Sequence, residues 1–525
     1  MTKHIDPKSL SVESAYVLDA PYTWSYFEYQ NPLLMNFVAN INGFSAPSIS
    51  DGFTYCDLGC GNGVSNNLLA SAFPKGHFVG VDFNAEHIEN ANHYVRRAGI
   101  ENAEFVDASF ENYAEHNPPK FDYIVMHGIY SWVGEEIRAQ IRTLVDKTLK
   151  PGGLLYVCYN TLPGWSELIP LWKMMQMYIA DAPGNSIEQA QFGLRKIAEL
   201  RDNNAKYFRD HPSASSYLDR LLARDPHYVA HEFCNGCFEP QYFIDVAKGF
   251  EELGLTYAGT AKIFRNNPSN IISNRFDEHL KDAESILEAE SRRSFIRNEF
   301  FRRDIYVRND EMLSSKQRTK ALSNFYVAPN VPEISLKKKF DVGRRTIDAN
   351  ERIYGALFPL LAEGSRSIGE LIEHPHLERF GAERIIDATL DLIGGEQFQV
   401  VNEPTDNVAF NNADVMHIPS AMNVAFLEDR LDEEGKTYME SASLGSAIRL
   451  SYIHGIFLRA LNGRSFSEAK TIAINEVLGM DSTNRNKLDI QPSDNLVSWV
   501  GEKADRFEKR YLPLLLRFGV VKKNS

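Results

Sequence analysis

Phe53-Thr54-Tyr55-Cys56-Asp57-Leu58-Gly59-Cys60-Gly61-Asn62-Gly63-Val64 decides the fold. Residues suited to a buried strand, Phe53–Leu58, run into a loop with glycine at alternate positions, and the amphipathic stretch Val64–Phe73 reads as a helix. Glycines there permit a tight turn and let main-chain atoms approach a ligand closely. Outward from this point the alternation repeats. Strands are expected at His77–Val81, Phe105–Val106, Tyr123–Met126 and Leu154–Tyr159, with helices over Ala85–Ala98 and Glu135–Leu149. This is the pattern of an α/β, Rossmann-like, doubly wound parallel sheet, whose ligands bind at the carboxyl ends of the strands.

The 525 residues suffice for several cores, and 56 Lys+Arg against 70 Asp+Glu leave a formal charge of -14. That balance gives no general attraction to phosphate backbones or anionic lipid, so no nucleic-acid partner is expected. Met1–Pro7 lacks the apolar stretch of a secretory signal, and no apolar run approaches the roughly 20 residues of a bilayer span. A cytoplasmic protein with no membrane span is predicted. Cys56, Cys60, Cys158, Cys234 and Cys237 fit free thiols in a reducing compartment. Cys234-x-x-Cys237 behind His231 has no second ligand pair downstream, so no metal is expected.

The strand–helix alternation stops after Trp165, the end of the core with its N-terminal cover segment (1–165). Residues 166–225 read as a helical insertion, either a lid over the substrate entrance or a dimerisation bundle. In 226–310, strands at Tyr228–Phe233 and Leu255–Phe264, around a helix over Pro240–Leu253, are expected to complete the sheet within 226–265. A charged helix over Arg275–Asn298 follows, then a linker over 311–345. In 346–525, helical patterns at Asn350–Leu361, Ser367–Ile372 and Glu383–Ile393 and a strand at Phe398–Val401 suggest a winged-helix arrangement. Helical periodicity over Asn495–Phe518 is broken by Pro513, and no convincing internal repeat is visible.

A dinucleotide loop would place its third glycine where Val64 stands. With no pyrophosphate to cradle, Asp57-x-Gly59-x-Gly61-x-Gly63 suits the methionine moiety of S-adenosylmethionine (SAM) better than NAD. Asp82 ends the second strand, where a carboxylate can accept both ribose hydroxyls, and Phe83 beside it can pack on adenine. Asp107 in Val106-Asp107-Ala108-Ser109 ends the third strand, placed to accept from the adenine amino group.

His127, Tyr130 and Trp132 follow the fourth strand, near the expected position of the transferable methyl group, and Tyr159 ends the fifth. Aromatic walls desolvate an alkyl amine and stabilise a cationic transition state. The Asn/Asp-Pro-Pro-aromatic motif common in enzymes that methylate planar amide or base nitrogens is missing after the fourth strand. His127 is a candidate base for a hydroxyl acceptor or, alternatively, a contact to cofactor or backbone.

These residues resemble the bacterial class I methyltransferases with a methyltransferase regulatory domain, including the rickettsial-type outer-membrane-protein lysine methyltransferases. The resemblance runs from Pro21 to Arg308 through Tyr22–Phe27, Asp57–Gly63, His127–Val133, Tyr159–Trp165, His231-Glu232-Phe233 and Phe301–Asp304. It implies a SAM-binding core and a Tyr22–Phe27 segment folded over the donor site, so that Tyr22 and Tyr26 join the cofactor residues. A homodimer is also within its range. The expected reaction is methyl transfer to a protein side chain, lysine first. The alternatives are an O- or N-methyltransferase of a small molecule or cell-surface sugar, and a SAM-binding regulator without turnover.

Overall fold

The computed structural model describes residues 17, 24–180, 182–308, 311–332, 335–488, 490 and 495–524. The expected strands form β1 (Phe53–Leu58), β2 (Gly76–Asp82), β3 (Ala103–Asp107), β4 (Phe121–Met126) and β5 (Leu149–Leu162), all parallel. Between them lie α2 (Val64–Ala72), α3 (Ala85–Ala98), α4 (Phe110–Glu115) and α5 (Glu135–Thr148), and α1 (Pro32–Ile41) precedes β1. Helices on both faces explain why Tyr55, Cys56, Asp57 and Leu58 are all buried. A short β6 (Gln241–Tyr242) extends the end of β5.

The sheet is completed differently from expectation. Tyr228–Phe233, expected as a strand, lies in a helix, Pro226–Phe233. Asp225 caps that helix by accepting from His227 N, Pro226 opens it, and Val229 and Phe233 bury one face four residues apart. The missing strand is β8 (Phe301–Val307), which runs antiparallel between β5 and β7 (Thr256–Thr260), giving the order 3-2-1-4-5-8-7. The helix expected over Pro240–Leu253 spans Phe243–Glu251, and Ile263–Asn266 is a 3₁₀ turn beyond β7. The charged segment before β8 is a 3₁₀ turn, a short helix and α6 (Ile286–Ile296), not one helix.

The helices of 166–225 and Pro226–Phe233 share a core of their own, including Leu171, Met175, Leu194, Leu218 and Phe233. Trp165 joins that core, and Trp132 from the loop after β4 packs against it.

Residues 311–345 are not a linker. They hold the helix Ser315–Ser323, β9 (Tyr326–Pro329) and β10 (Lys339–Val342), and β10 pairs with β11 (Arg345–Asp348). The expected C-terminal elements follow as α7 (Arg352–Glu363), β12 (Arg366–Ser367), α8 (Ile368–Ile372), α9 (Ala382–Gly394) and β13 (Phe398–Val401). Strand β9 lies in the middle of an antiparallel sheet, order 12-9-13.

The same plan recurs in the next stretch of chain, against the expectation of no repeat. Strand β14 (Val415–His417), hairpin β15–β16 (Lys436–Ser441, Ser446–Ser451), α10 (Tyr452–Leu461), β17 (Arg464–Ser465), α11 (Phe466–Gly479), further helices and β18 (Lys522–Lys523) follow in order. The sheet order is 17-14-18, again antiparallel with the first strand central. Ser367 with Glu370 and Ser465 with Glu468 form capping boxes at equivalent helix starts. Ile353-Tyr354-Gly355 and Arg366-Ser367 find counterparts in Ile453-His454-Gly455 and Arg464-Ser465. Few other identities survive, and the second copy inserts a helix (Ala421–Asp429) before its hairpin, so sequence periodicity is lost.

Candidate active site

Three glycines in the β1–α2 loop have left-handed backbone, with φ of 75° at Gly59, 54° at Gly61 and 66° at Gly63. A Cβ at Gly59 would lie 2.4 Å from the tip of Ile129, and one at Gly63 2.5 Å from Ala91 Cβ, so a side chain at either is strained by the backbone and crowded by its neighbour. Asp82 is tied to this loop. Its carboxylate accepts from Gly61 N at 2.9 Å and Asn84 N at 2.9 Å, with His87 Nδ1 3.5 Å away. Asp57 is 3% exposed and accepts from Gln30 Nε2 at 3.3 Å. Burial, then the charge of Asp82, push its carboxyl up to about 8. Gln30 Oε1 is buried without a hydrogen-bond partner among the described residues. A cationic ligand group with spare donors would satisfy both atoms, which is what the α-ammonium of SAM offers.

Phe83 is half-buried and Asp107 is exposed at the end of β3. Ala108 N donates to the Asp82 carbonyl at 3.0 Å, and Ser109 caps α4 by accepting from Asn112 N. Asp57, Gly59, Gly61, Gly63, Asp82, Phe83 and Asp107 thus gather at the carboxyl ends of β1, β2 and β3, while Ala108 and Ser109 also serve the local backbone. Tyr22 lies outside the described residues.

Tyr26 points away from the donor loops. Its hydroxyl is 2.8 Å from Ser446 Oγ and its ring packs on Tyr438, both in the hairpin of the second copy. Its neighbour Phe27 faces the site instead, donating its backbone N–H to Ser65 Oγ and stacking on His127 with ring centroids 3.8 Å apart. The rest of this cover is held by the same copy. Arg430 lies 3.7 Å over the Trp24 ring, Lys436 donates to Ser25 Oγ, and Asn31 Nδ2 donates to the Gly445 carbonyl at 2.5 Å.

His127 Nδ1 is 3.0 Å from the Tyr156 hydroxyl. Burial raises the Tyr156 pKa, so that hydroxyl keeps its proton and engages Nδ1 as a neutral partner. Burial, then Arg303, push His127 down to about 3. The ring is therefore neutral and a poor base.

Tyr130 and Tyr159, expected beside the methyl group, lie in the core beneath the sheet. Tyr130 is 2% exposed, packs on Phe250 and accepts from Arg142 at 3.3 Å. Tyr159 is 1% exposed and donates to Asp304 at 2.6 Å. Alternation along β5 is the reason, because Tyr156 and Cys158 face the His127 side and Tyr159 must face away. Trp132 remains near the rim, stacked on Phe238 at 4.5 Å. Phe27 and Arg303 stood in quoted motifs without a role of their own, and Tyr29, Gln30 and Tyr156 were not singled out from sequence. The alternation of β5 and of Phe301-Arg302-Arg303-Asp304 carried the signal for two of them.

Residues 49–208 match a methyltransferase domain and residues 225–308 a predicted methyltransferase regulatory domain. The chain carries a SAM-dependent methyltransferase domain. An uncharacterized protein of Synechocystis is 28% identical over 96% of this chain and 99% of its own length. A malonyl-[acyl-carrier protein] O-methyltransferase of Priestia megaterium is 24% identical over 34% of this chain and 64% of its own. The structure of PKMT2 from Rickettsia typhi in complex with AdoHcy superposes with a TM-score of 0.72 at 20% identity, covering 95% of this methyltransferase and 100% of that chain. Among the described residues of this methyltransferase, no helix is long and apolar enough to cross a membrane, and no group of three or more His, Cys, Asp and Glu is placed to hold a metal ion.

Proposed function

We propose that this methyltransferase transfers a methyl group to a protein side-chain amine, that of lysine. The supporting observation is His127, the candidate base beside the site. It is neutral, its Nδ1 is engaged by Tyr156, and burial holds its pKa near about 3. A hydroxyl acceptor needs a base to take its proton in the transition state. An amine needs only to reach its neutral form. An exposed lysine at pH 7 is neutral in about one molecule in 2,500, a cost of roughly 4.6 kcal/mol. Burial beside aromatic rings and the Arg303 cation lowers the ammonium pKa and reduces that cost.

Bound SAM supplies an electrophilic sulfonium methyl. Asp57 and Gln30 take its ammonium, Asp82 its ribose hydroxyls, Phe83 and Asp107 its adenine, and the glycines leave room for it. Phe27 and His127 cover the transfer region, so orientation and exclusion of water provide most of the rate. The helices of 166–225, which pack on Trp132, act as the collar through which the acceptor enters.

Labelled SAM, incubated with the enzyme and a cell-envelope extract, is expected to mark a protein band that yields methyl-lysine on hydrolysis. Label confined to small metabolites or glycans would overturn the protein reading.

A further inference from the structure

Five arginines crowd the end of the sheet where β8 lies, and four of them meet carboxylates. Arg265 pairs with Glu299 at 2.6 Å and Arg297 with Glu299 at 2.7 Å and Glu290 at 3.0 Å. Arg293 pairs with Glu290 at 3.2 Å, and Arg302 with Asp304 at 2.8 Å and Glu290 at 3.0 Å. Arg303 differs. Alternation along β8 sends Arg302 and Asp304 to the far face and Arg303 to the face shared with Cys158, its partner in the ladder. There its guanidinium lies 4.7 Å from the Tyr29 ring centroid and 4.6 Å from that of Phe301. Among the described residues it has no ion pair, and its buried Nε has no hydrogen-bond partner.

Its position is beside the transfer region. Tyr29 is two residues from Phe27, which stacks on His127, and Cys158 accepts from Gly128 N in the loop that carries His127. Asp57 stands three strands away in the order 1-4-5-8, about 14 Å at the usual strand spacing. A guanidinium held flat by rings loses little freedom on binding and presents a fork that fits a carboxylate.

We propose that Arg303 is a specificity-determining residue that recognises a carboxylate side chain flanking the acceptor lysine, so that the preferred substrate is a protein segment with Asp or Glu next to the methylated residue. This rests on the lysine reading above. Nearby Lys262, half-buried and lowered in pKa by burial and by Arg303, adds positive field to the same region.

The test uses the full chain, labelled SAM and single-lysine peptides whose positions within three residues of the lysine carry Asp, Asn or Lys. Turnover on the Asp set is expected to exceed the Asn set by about tenfold. Arg303→Gln is expected to level the two, and Arg303→Lys to keep most of the preference, with SAM affinity and melting temperature unchanged in both. Methylation blind to flanking charge, a preference that survives Arg303→Gln, or a loss of SAM affinity in that variant would each overturn the proposal and leave lysine methylation standing. No methyl-lysine in any peptide would overturn both.

Discussion

The two tandem copies in the C-terminal half share a plan and grip opposite ends of one sheet. In each, a hairpin turns at a glycine with left-handed backbone, Gly343 at φ 60° and Gly445 at φ 63°, and that turn touches the N-terminal half. Gly445 accepts from Asn31, in the segment that covers the donor loops. Beside Gly343, Arg344 N donates to the Asn270 carbonyl at 2.8 Å, and Arg345 reaches Asn270 Oδ1, in the segment that follows β7. The difference lies in what is gripped. The second copy steadies the donor cover, and the first steadies the end we assign to the acceptor. One fold, used twice, contacts the two ends through the same kind of turn.

The widest gap between the ends is expected from Asp57→Ala. Losing the buried acid should weaken SAM binding on the order of 10²-fold, read by calorimetry, since hydrogen bonds to charged groups carry about 1.5–3 kcal/mol. A similar loss of acceptor affinity would mean that the ends are not separate.

The same acid gives the donor end a pH dependence. Its carboxyl titrates at about 8 without ligand, and an ammonium beside it favours the ionised form. Below that value binding releases a proton, so SAM affinity should rise with pH towards pH 8 and fall again once the ligand's own ammonium loses its proton. Proton release measured in buffers of different ionisation enthalpy checks this, and a flat profile would remove Asp57 from the ammonium site.

Gly445→Ala and Gly343→Ala form a matched pair. Each forces a side chain into left-handed backbone, a cost of roughly 1–2 kcal/mol. The added Cβ would stand 2.9 Å from Phe73 in the first variant and 2.1 Å from the Asn270 carbonyl in the second. Both should melt lower, but only Gly445→Ala should loosen SAM, several-fold, while Gly343→Ala should lower turnover at saturating SAM. Identical kinetic profiles would erase the distinction between the copies.

The smallest effect is expected at His127→Gln, where a neutral amide replaces a neutral imidazole and turnover should stay within about threefold. A base would cost on the order of 10²-fold or more when removed, which would return the hydroxyl acceptor to the lead.

The donor half was legible in sequence because its signals are local. Glycine spacing and acids at strand ends follow from backbone geometry, and the observed strands β1 to β5 agree with them. The acceptor half was not, because facing depends on register. Tyr130 and Tyr159 look equivalent to Trp132 along the chain, yet pleating sends Tyr159 into the core and the turn after β4, with Gly128 at φ 71°, precedes Tyr130's burial. Tyr228–Phe233 has β-rich composition but an Asp-Pro helix start, and the capping signal prevailed. Strand β8 was masked by its charges, of which Arg302 finds its partners in α6 and within the strand. The duplication was hidden because its strands are as short as two residues in β12, β17 and β18.

A single apolar core unites Tyr55 and Phe78 of the sheet with Phe426, Leu450, Ile456 and Val521 from the second copy. Heating should therefore give these parts one shared transition, and a shortened chain ending after β8 should expose sticky surface instead of yielding a minimal enzyme. The boundary that the motifs suggest therefore cuts through a core that runs from Tyr55 to Val521.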